Sequence, residues 1–265
     1  MTRGRLASRG PVTRGRLVAA GGFAVVLALL TACAPAAPVV EPTATPVSAE
    51  QSELLAAARF RNFDAGTRAV RVDLDDSGTT LHLEGWFDYA TLTGYAALSA
   101  DDRPNALLLW DASAISAHAP VATDAAAPPP LPVPDAVPLG DSWQSSPLSA
   151  THSRLHTVLQ VIASLGSDRP DNPLLLRQGG ALALGQETLD DAPVTVFAGP
   201  LSDNPLPAGQ TVDPEAATTR FWLDDQGVMR RAAVRLGGSG SWIDIDFADA
   251  PGVDLGGART TGAAG

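Results

Sequence analysis

Apolar and polar residues alternate one by one through several segments of this 265-residue chain. In residues 70–74 valine and leucine alternate with arginine and aspartate, and residues 81–89 repeat the pattern after the turn sequence Asp75-Asp76-Ser77-Gly78. Successive side chains of a β-strand point to opposite faces, so the alternation predicts strands with one dry and one wet face. The two segments are predicted to form a hairpin.

A second alternating region lies near the end of the chain. Arg220–Leu223, Val228–Leu236 and Trp242–Phe247 are separated by turn sequences rich in glycine and aspartate, and they predict an antiparallel meander. Other predicted strands are Thr91–Leu98, Ala106–Trp110 continuing through Ile115, Ala181–Leu184 and Val194–Phe197.

Two segments have helical signals. Ser48 and Gln51 form a capping-box pattern before a short apolar-faced segment. Residues 148–165 predict the longer helix, with Gly166 as its C-cap and an apolar stripe of Leu155, Val158, Leu159 and Ile162. The resulting fold class is α+β, an antiparallel sheet with helices packed on one face.

A sheet covered by only one or two helices leaves room between its layers for an apolar ligand. The side chains expected to line such a cavity are those of the helical stripe and the dry strand faces: Leu155, Val158, Leu159, Ile162, Leu81, Leu83, Ile243 and Ile245. The same residues would form an ordinary filled core in the alternative, and the sequence leaves both possibilities open.

The first 32 residues are typical of an export signal. Five arginines and no acidic residue precede the apolar run Leu17–Leu30, which is shorter than the roughly 20 residues that a membrane-spanning helix needs. The run ends in Leu30-Thr31-Ala32-Cys33, which resembles the lipobox of bacterial lipoproteins. That resemblance implies cleavage between Ala32 and Cys33, and lipid attachment at Cys33, the only cysteine in the chain.

The expected organisation follows from these features. Residues 1–32 are a lipoprotein signal peptide, and residues 33–48, with four prolines, are a lipidated N-terminus and tether. Residues 49–255 form the domain, interrupted by a proline-rich loop at 120–140, and residues 256–265 are a disordered tail. We expect the protein on the extracytoplasmic face of the cell membrane, held there by its lipid.

Charge and composition exclude several kinds of partner and chemistry. Without residues 1–32 the chain has 13 basic and 29 acidic residues, a formal charge of −16, which disfavours binding to nucleic acid. The absence of lysine excludes a phosphate-binding lysine and a Schiff base. No cofactor is implied, and no protein partner is indicated.

Four motifs have residue types that occur in catalytic or metal sites, but the sequence favours none of them as such a site. Gly140-Asp141-Ser142 resembles a lipase nucleophile motif, but no histidine far downstream is present to act as its base. His152 and His156 have a metal-ligand spacing without further ligands. Asp244 with Asp246 fits the polar face of a strand, and 224–227 fits a β-turn. We expect no catalytic residues, no metal site and no enzymatic activity.

The order of these elements resembles the LppX/LprA/LprF/LprG group of actinobacterial lipoproteins over residues 50–254. The segments that carry the resemblance are Leu92–Tyr95 up to Trp110, Gly185–Thr188 with Val196–Gly199, and Phe221–Arg231. The resemblance implies a curved half-barrel sheet wrapped over helices, similar to the carriers LolA and LolB. It also implies a lipid or glycolipid ligand between the sheet and the helices. The proline-rich loop and the absence of lysine depart from the group.

The functional hypothesis is therefore a membrane-anchored envelope lipoprotein that binds or carries a lipid or glycolipid. The alternative is a non-enzymatic interaction or structural envelope lipoprotein with a filled core. The five tryptophans, which suit either core packing or a cavity rim, do not separate the two: Trp86, Trp110, Trp143, Trp222 and Trp242.

Overall fold

The computed structural model describes residues 44–100, 103–118, 143–207, 210, 212–237 and 240–255. Within these ranges the chain forms one antiparallel sheet of twelve strands. The strands are β1 Thr45–Pro46, β2 Thr67–Asp76, β3 Thr79–Asp88, β4 Thr93–Ala100, β5 Arg103–Trp110, β6 Ala114–His118, β7 Gln144–Pro147, β8 Leu182–Leu189, β9 Ala192–Ala198, β10 Thr219–Leu223, β11 Met229–Arg235 and β12 Trp242–Asp249.

The sheet is open, because its spatial order is β1-β8-β9-β10-β11-β12-β2-β3-β4-β5-β6-β7 and its two edges are β1 and β7. The C-terminal half of the sheet is joined to the N-terminal half where β12 pairs with β2. Three α-helices accompany it: α1 Ala49–Ala65, α2 Arg154–Ser164 and α3 Pro173–Gln178. The predicted α+β class is confirmed, with a large open antiparallel sheet and few helices.

One face of the sheet, called here the inner face, packs against α1 and α2. Val72, Leu83 and Ile245 lie side by side on this face through the β12–β2–β3 pairing. They belong to the same buried cluster as Leu55 of α1 and Leu159 of α2. The opposite face, the outer face, has a smaller apolar cluster where Leu255 covers β4 and β5. The predicted packing of helices on one face of the sheet is confirmed.

The predicted hairpin is confirmed as the antiparallel pair β2–β3. Ser77 and Gly78 form the tight turn, both with positive φ (57° and 84°), which matches the twist of the flanking strands. The capping box that begins α1 is also confirmed, since the Ser48 and Gln51 side chains each accept a hydrogen bond from the other residue's backbone N–H, at 3.1 and 2.9 Å.

Other elements differ from the sequence prediction. Helix α2 begins at Arg154 rather than 148, because the hydroxyl of Ser153 caps it by accepting the N–H of His156 at 3.2 Å. The C-cap of α2 is Leu165, and Gly166 is needed for a different reason: a Cβ there would lie 2.2 Å from the ring of Tyr89. The predicted continuation of β5 through Ile115 is wrong, since the chain reverses after Trp110 and β6 pairs with β5.

The fold begins slightly before the expected boundary at residue 49. Thr45 and Pro46 pair with β8, and Val47 is buried, so the last residues of the predicted tether lie in the sheet. The signal segment 1–32, Cys33, the rest of the tether up to residue 43, the whole loop 120–140 and the tail 256–265 lie outside the described residues. No helix within the described ranges is long and apolar enough to cross a membrane.

Candidate functional site

A cavity of about 340 Å³ lies between the inner face of the sheet and the helices α1 and α3. Its size falls at the lower end of the range of about 300–1,000 Å³ that is usual for small-ligand pockets. Its lining consists of Leu55, Ala58, Arg59, Asp171, Asn172, Leu175, Leu176, Pro200, Ser202, Asp203, Thr219, Phe221 and Met229.

The walls of this cavity are largely apolar. Leu55 and Ala58 come from the buried face of α1, and Phe221 and Met229 come from the inner face of β10 and β11. Phe221 points inwards because strand alternation places it beside Ala232 and Phe197, both fully buried. Leu175 of α3 is 46% exposed and stands at the open side of the cavity. Apolar walls of this kind suit an acyl chain or another apolar group.

The mouth carries polar groups that are already held in place. The Nη1 atom of Arg59 lies 3.0 Å from Oδ1 of Asp171, and its Nε donates to the backbone oxygen of Ser164 at 2.9 Å. Asn172 caps α3 by accepting the N–H of Leu174 at 2.9 Å. Because the guanidinium is paired, the mouth offers hydrogen-bonding groups without an unpaired cation among the lining residues.

The eight side chains that the sequence indicates as cavity lining lie in the packed core instead of around this cavity. Val158, Leu159 and Ile162 of α2 are fully buried, and Leu81, Leu83, Ile243 and Ile245 are at most 2% exposed. Leu155 packs against the same cluster and is half-buried. The space between α2 and the sheet is therefore filled, and the cavity lies further along the inner face, beside α1 and α3. That these eight residues contact a ligand remains a prediction.

Helix α3, which forms one side of the cavity, was missed in the sequence. It has only six residues and too few turns to show a helical period. The signal that identifies it is local: Asn172 as the N-cap, Pro173 at the first helical position and three leucines after it.

The candidate catalytic and metal-binding motifs have structural roles where the structure describes them. The rings of His152 and His156 lie 4.8 Å apart, and Nδ1 of His156 accepts the N–H of Ser149 at 3.2 Å. Burial, together with the neighbouring His152, lowers the pKa of His156. Among the described residues no three His, Cys, Asp or Glu side chains form a group that could hold a metal ion. Gly140-Asp141-Ser142 lies outside the described residues.

The aspartates of the acidic motifs form ion pairs with arginines. Asp244 and Asp246 both pair with Arg231, at 3.3 and 2.5 Å. Desolvation, with the neighbouring Asp246, raises the pKa of Asp244. Asp224 forms the predicted β-turn, accepting the N–H groups of residues 226 and 228, and pairs with Arg230 at 2.9 Å.

Comparisons with known proteins give matches among solved structures. No protein-family model and no curated protein matches the chain. The chain is similar to the lipoprotein LppX of Mycobacterium tuberculosis, with 19% identity, a TM-score of 0.38, and 76% of this chain and 98% of that chain covered. It is also similar to an outer membrane lipoprotein-sorting protein domain of Vibrio parahaemolyticus, with 9% identity, a TM-score of 0.24, and 76% and 92% covered.

The tryptophans divide between the two faces of the sheet. Trp110 is fully buried on the inner face, where its ring lies 5.8 Å from that of Phe87. The other four are half-buried, and none of the five lines the cavity. Trp86, Trp222 and Trp242 lie on the outer face by strand register.

Proposed function

We propose that this protein is a non-enzymatic envelope lipoprotein that binds the apolar part of a lipid or glycolipid in the cavity between the sheet and helices α1 and α3. The supporting observation is the apolar lining of that cavity, open to solvent beside Leu175. Transfer of apolar surface from water to such a site is favourable by roughly 25 cal/mol per Å². Binding of this kind needs no catalytic group.

Anchoring is the second part of the proposal. The lipid on Cys33 holds the chain at the extracytoplasmic face of the cell membrane, within reach of membrane lipids. Eleven residues separate Cys33 from Thr45, the first strand residue. In an extended conformation they would span roughly 35 Å, enough to let the domain approach and leave the surface.

The alternative function, an interaction or structural lipoprotein with a filled core, is favoured by one observation. The interface between α2 and the sheet is packed without a gap around Val158, Leu159 and Ile162, which are 0% exposed. A ligand would then be absent, and the cavity beside α3 would be an incidental groove. The experiment below separates the two functions.

Two adjacent leucines of α3 provide a matched pair of variants. Leu174 and Leu175 are 53% and 46% exposed, but only Leu175 lines the cavity. We expect Leu175→Glu to weaken binding of a fluorescent long-chain fatty acid at least about tenfold, because a carboxylate at the mouth must lose water when the chain enters. Leu174→Glu adds the same charge to the same helix outside the cavity and is expected to leave the affinity within about twofold.

The purified exported chain is the material for the measurement. Its bound lipids are extracted with organic solvent and identified by mass spectrometry, and fatty-acid affinity is measured by fluorescence titration. Co-purified lipid, with loss of affinity only in Leu175→Glu, supports the carrier function. A lipid-free chain that does not bind the fatty acid, or equal effects of the two variants, supports the alternative.

A further inference from the structure

A second depression, of about 260 Å³, lies on the outer face of the sheet, away from the lipid cavity. The strand register explains its shape. Ala248, Ala69 and Trp86 are direct cross-strand neighbours on β12, β2 and β3. The two alanines leave a low floor, and the indole of Trp86 rises beside it as one wall.

A second wall is a row of charged side chains that lies two residues along these strands from the floor and extends onto β11. Arg231, Asp246, Arg71 and Glu84 are successive cross-strand neighbours on β11, β12, β2 and β3. Asp190, from the turn between β8 and β9, also reaches the depression. Every side chain in this wall except the arginines is a carboxylate.

The charges in the wall are paired and therefore oriented. Nη2 of Arg71 lies 3.1 Å from Oε1 of Glu84, and Nε of Arg231 donates to Oδ1 of Asp246 at 2.5 Å. Exposed ion pairs of this kind contribute only about 0–1 kcal/mol to stability each. Their alignment along one wall therefore has little effect on folding, but it holds guanidinium donors and carboxylate acceptors at fixed positions.

The charge balance decides which ligand fits. The lining has two arginines, each with a carboxylate partner, and three carboxylates, Glu84, Asp190 and Asp246. The net negative charge disfavours phosphate, sulfate and carboxylate ligands. Hydroxyl groups both donate and accept, so they can use the carboxylates and guanidiniums together without disrupting the pairs.

Trp86 supplies the complementary apolar surface. Its ring is stacked on Tyr95, with centroids 6.4 Å apart and planes 18° apart, which fixes its orientation. A large, rigid aromatic face beside fixed polar groups is the usual arrangement in ligand sites that combine apolar contact with hydrogen-bonded orientation.

From this combination we propose that the depression between Trp86 and the Arg231–Asp246–Arg71–Glu84 row is a binding site for a neutral saccharide. One face of a sugar ring packs on the indole, and its hydroxyls bond to the charged row. The site goes beyond the proposed lipid binding and does not depend on it, because it lies on the other face of the sheet. In an envelope lipoprotein it would bind a neutral glycan of the cell surface.

The test is isothermal titration calorimetry on the full chain in detergent, with neutral oligosaccharides of glucose, galactose and mannose as probes. Trp86→Leu removes the aromatic wall and is expected to weaken binding at least about tenfold. Its matched control is Trp242→Leu: this outer-face tryptophan stacks between Arg220 and Arg235, with guanidinium carbons 4.5 and 4.3 Å from the ring centre, and does not line the depression.

A second pair of variants is nearly isosteric and keeps the proposal testable if Trp86→Leu does not fold. Glu84→Gln removes one carboxylate acceptor and is expected to weaken binding about fivefold. Glu187→Gln, at a carboxylate that accepts the indole N–H of Trp222 outside the depression, is expected to leave it unchanged.

Sulfated forms of the same sugars and oligolysine complete the titrations. Stronger binding of the neutral sugars than of both charged probes, with the expected losses in the variants, supports the site. The proposal is overturned if no neutral oligosaccharide binds at millimolar concentration, if sulfated sugars or oligolysine bind more tightly, or if Glu84→Gln binds as well as Glu187→Gln.

Discussion

Arg68 is a fully buried cation in the core, where arginine is rarely found. Its Nη1 donates to Oδ1 of Asn62 at 3.0 Å, its Nη2 to the backbone oxygen of Met229 at 3.2 Å, and its Nε to that of Ala248 at 3.2 Å. The guanidinium thus joins α1, β2, β11 and β12. Desolvation by burial lowers the pKa of Arg68, against the attraction of Asp249.

Asn62 is the side chain that completes this network. It accepts from Arg68 and donates to the backbone oxygen of Leu165, just after α2, at 2.9 Å. We expect Asn62→Leu to lower the free energy of unfolding by about 3 kcal/mol, because it leaves a buried charged donor and a buried carbonyl without partners. Urea denaturation followed by circular dichroism measures this loss.

The control for Asn62→Leu is Arg71→Met on β2, which breaks the exposed pair with Glu84. Both side chains of this pair are 64% exposed, so the expected loss in the free energy of unfolding is below about 1 kcal/mol. Similar losses in the two variants would contradict a network role for Asn62.

At the scale of elements, the start of α2 is fixed from the neighbouring hairpin. Oδ2 of Asp76, the last residue of β2, accepts the N–H of Leu155 at 3.1 Å. Partial burial acts to raise the pKa of Asp76, but hydrogen bonds from Leu155, Ser153 and Ser77 outweigh it and lower the pKa below the ordinary value of 3.8. The carboxylate satisfies a free N–H at the helix N-terminus and favours the helix dipole.

We expect Asp76→Ala to lower the free energy of unfolding by about 1 kcal/mol at neutral pH. The pKa is depressed in the folded state, so the stabilisation is present above the unfolded value of 3.8 and is lost as the pH falls through the lower folded value. Denaturant titrations at neutral and acidic pH should therefore show the difference between variant and wild type shrinking with acid.

Asp75→Ala is the matched control for this helix cap. Asp75 is the preceding residue, it is exposed, and its carboxylate accepts the Thr80 hydroxyl across the hairpin at 3.2 Å. Its effect should be small at every pH. A loss in Asp76→Ala that does not depend on pH would exclude the ionic cap.

The strands can be predicted from the sequence more fully than the helix boundaries can. Residues alternate in β2, β3 and β12 because one face of each strand is dry and the other wet, so the pattern alone indicates which side chains face the helices. The start of α2 depends on Ser153 and Asp76. Because Asp76 lies 79 residues before Leu155 in the sequence and reaches it only through folding, no local period indicates this contact. The sequence predicts Gly166 as a helix cap, but the contact that requires glycine there, with the ring of Tyr89, is tertiary.

The cavity was harder to predict than the sheet for a physical reason. The most apolar residues, such as Leu159 and Ile245, are the ones that pack most completely against each other and leave no space. A pocket is formed where packing is incomplete, at residues of mixed character such as Leu175 and Arg59. Its position depends on α3, whose six residues show no period.

At the scale of the whole molecule, net charge bears on how the protein can be held at a membrane. Without residues 1–32 the formal charge is −16, so electrostatic attraction to anionic lipid headgroups is unfavourable. The outer-face arginines do not offset this, because Arg71 and Arg231 are paired with carboxylates. A covalent lipid is therefore the means of attachment that the proposed function requires.

Replacing Cys33 by serine tests that requirement in cells. Two or three acyl chains, at about 0.8 kcal/mol for each buried CH₂, anchor a protein stably, and without them an acidic chain has no comparable membrane affinity. We expect the wild-type chain in the membrane fraction, labelled by radioactive palmitate, and Cys33→Ser without the label. A high-salt wash serves as the control, because it releases ionically bound protein and leaves a lipid-anchored chain in place. Palmitate label on Cys33→Ser would mean that the lipid is attached elsewhere in the chain, and the anchoring half of the proposal would fail while lipid binding in the cavity stood untouched.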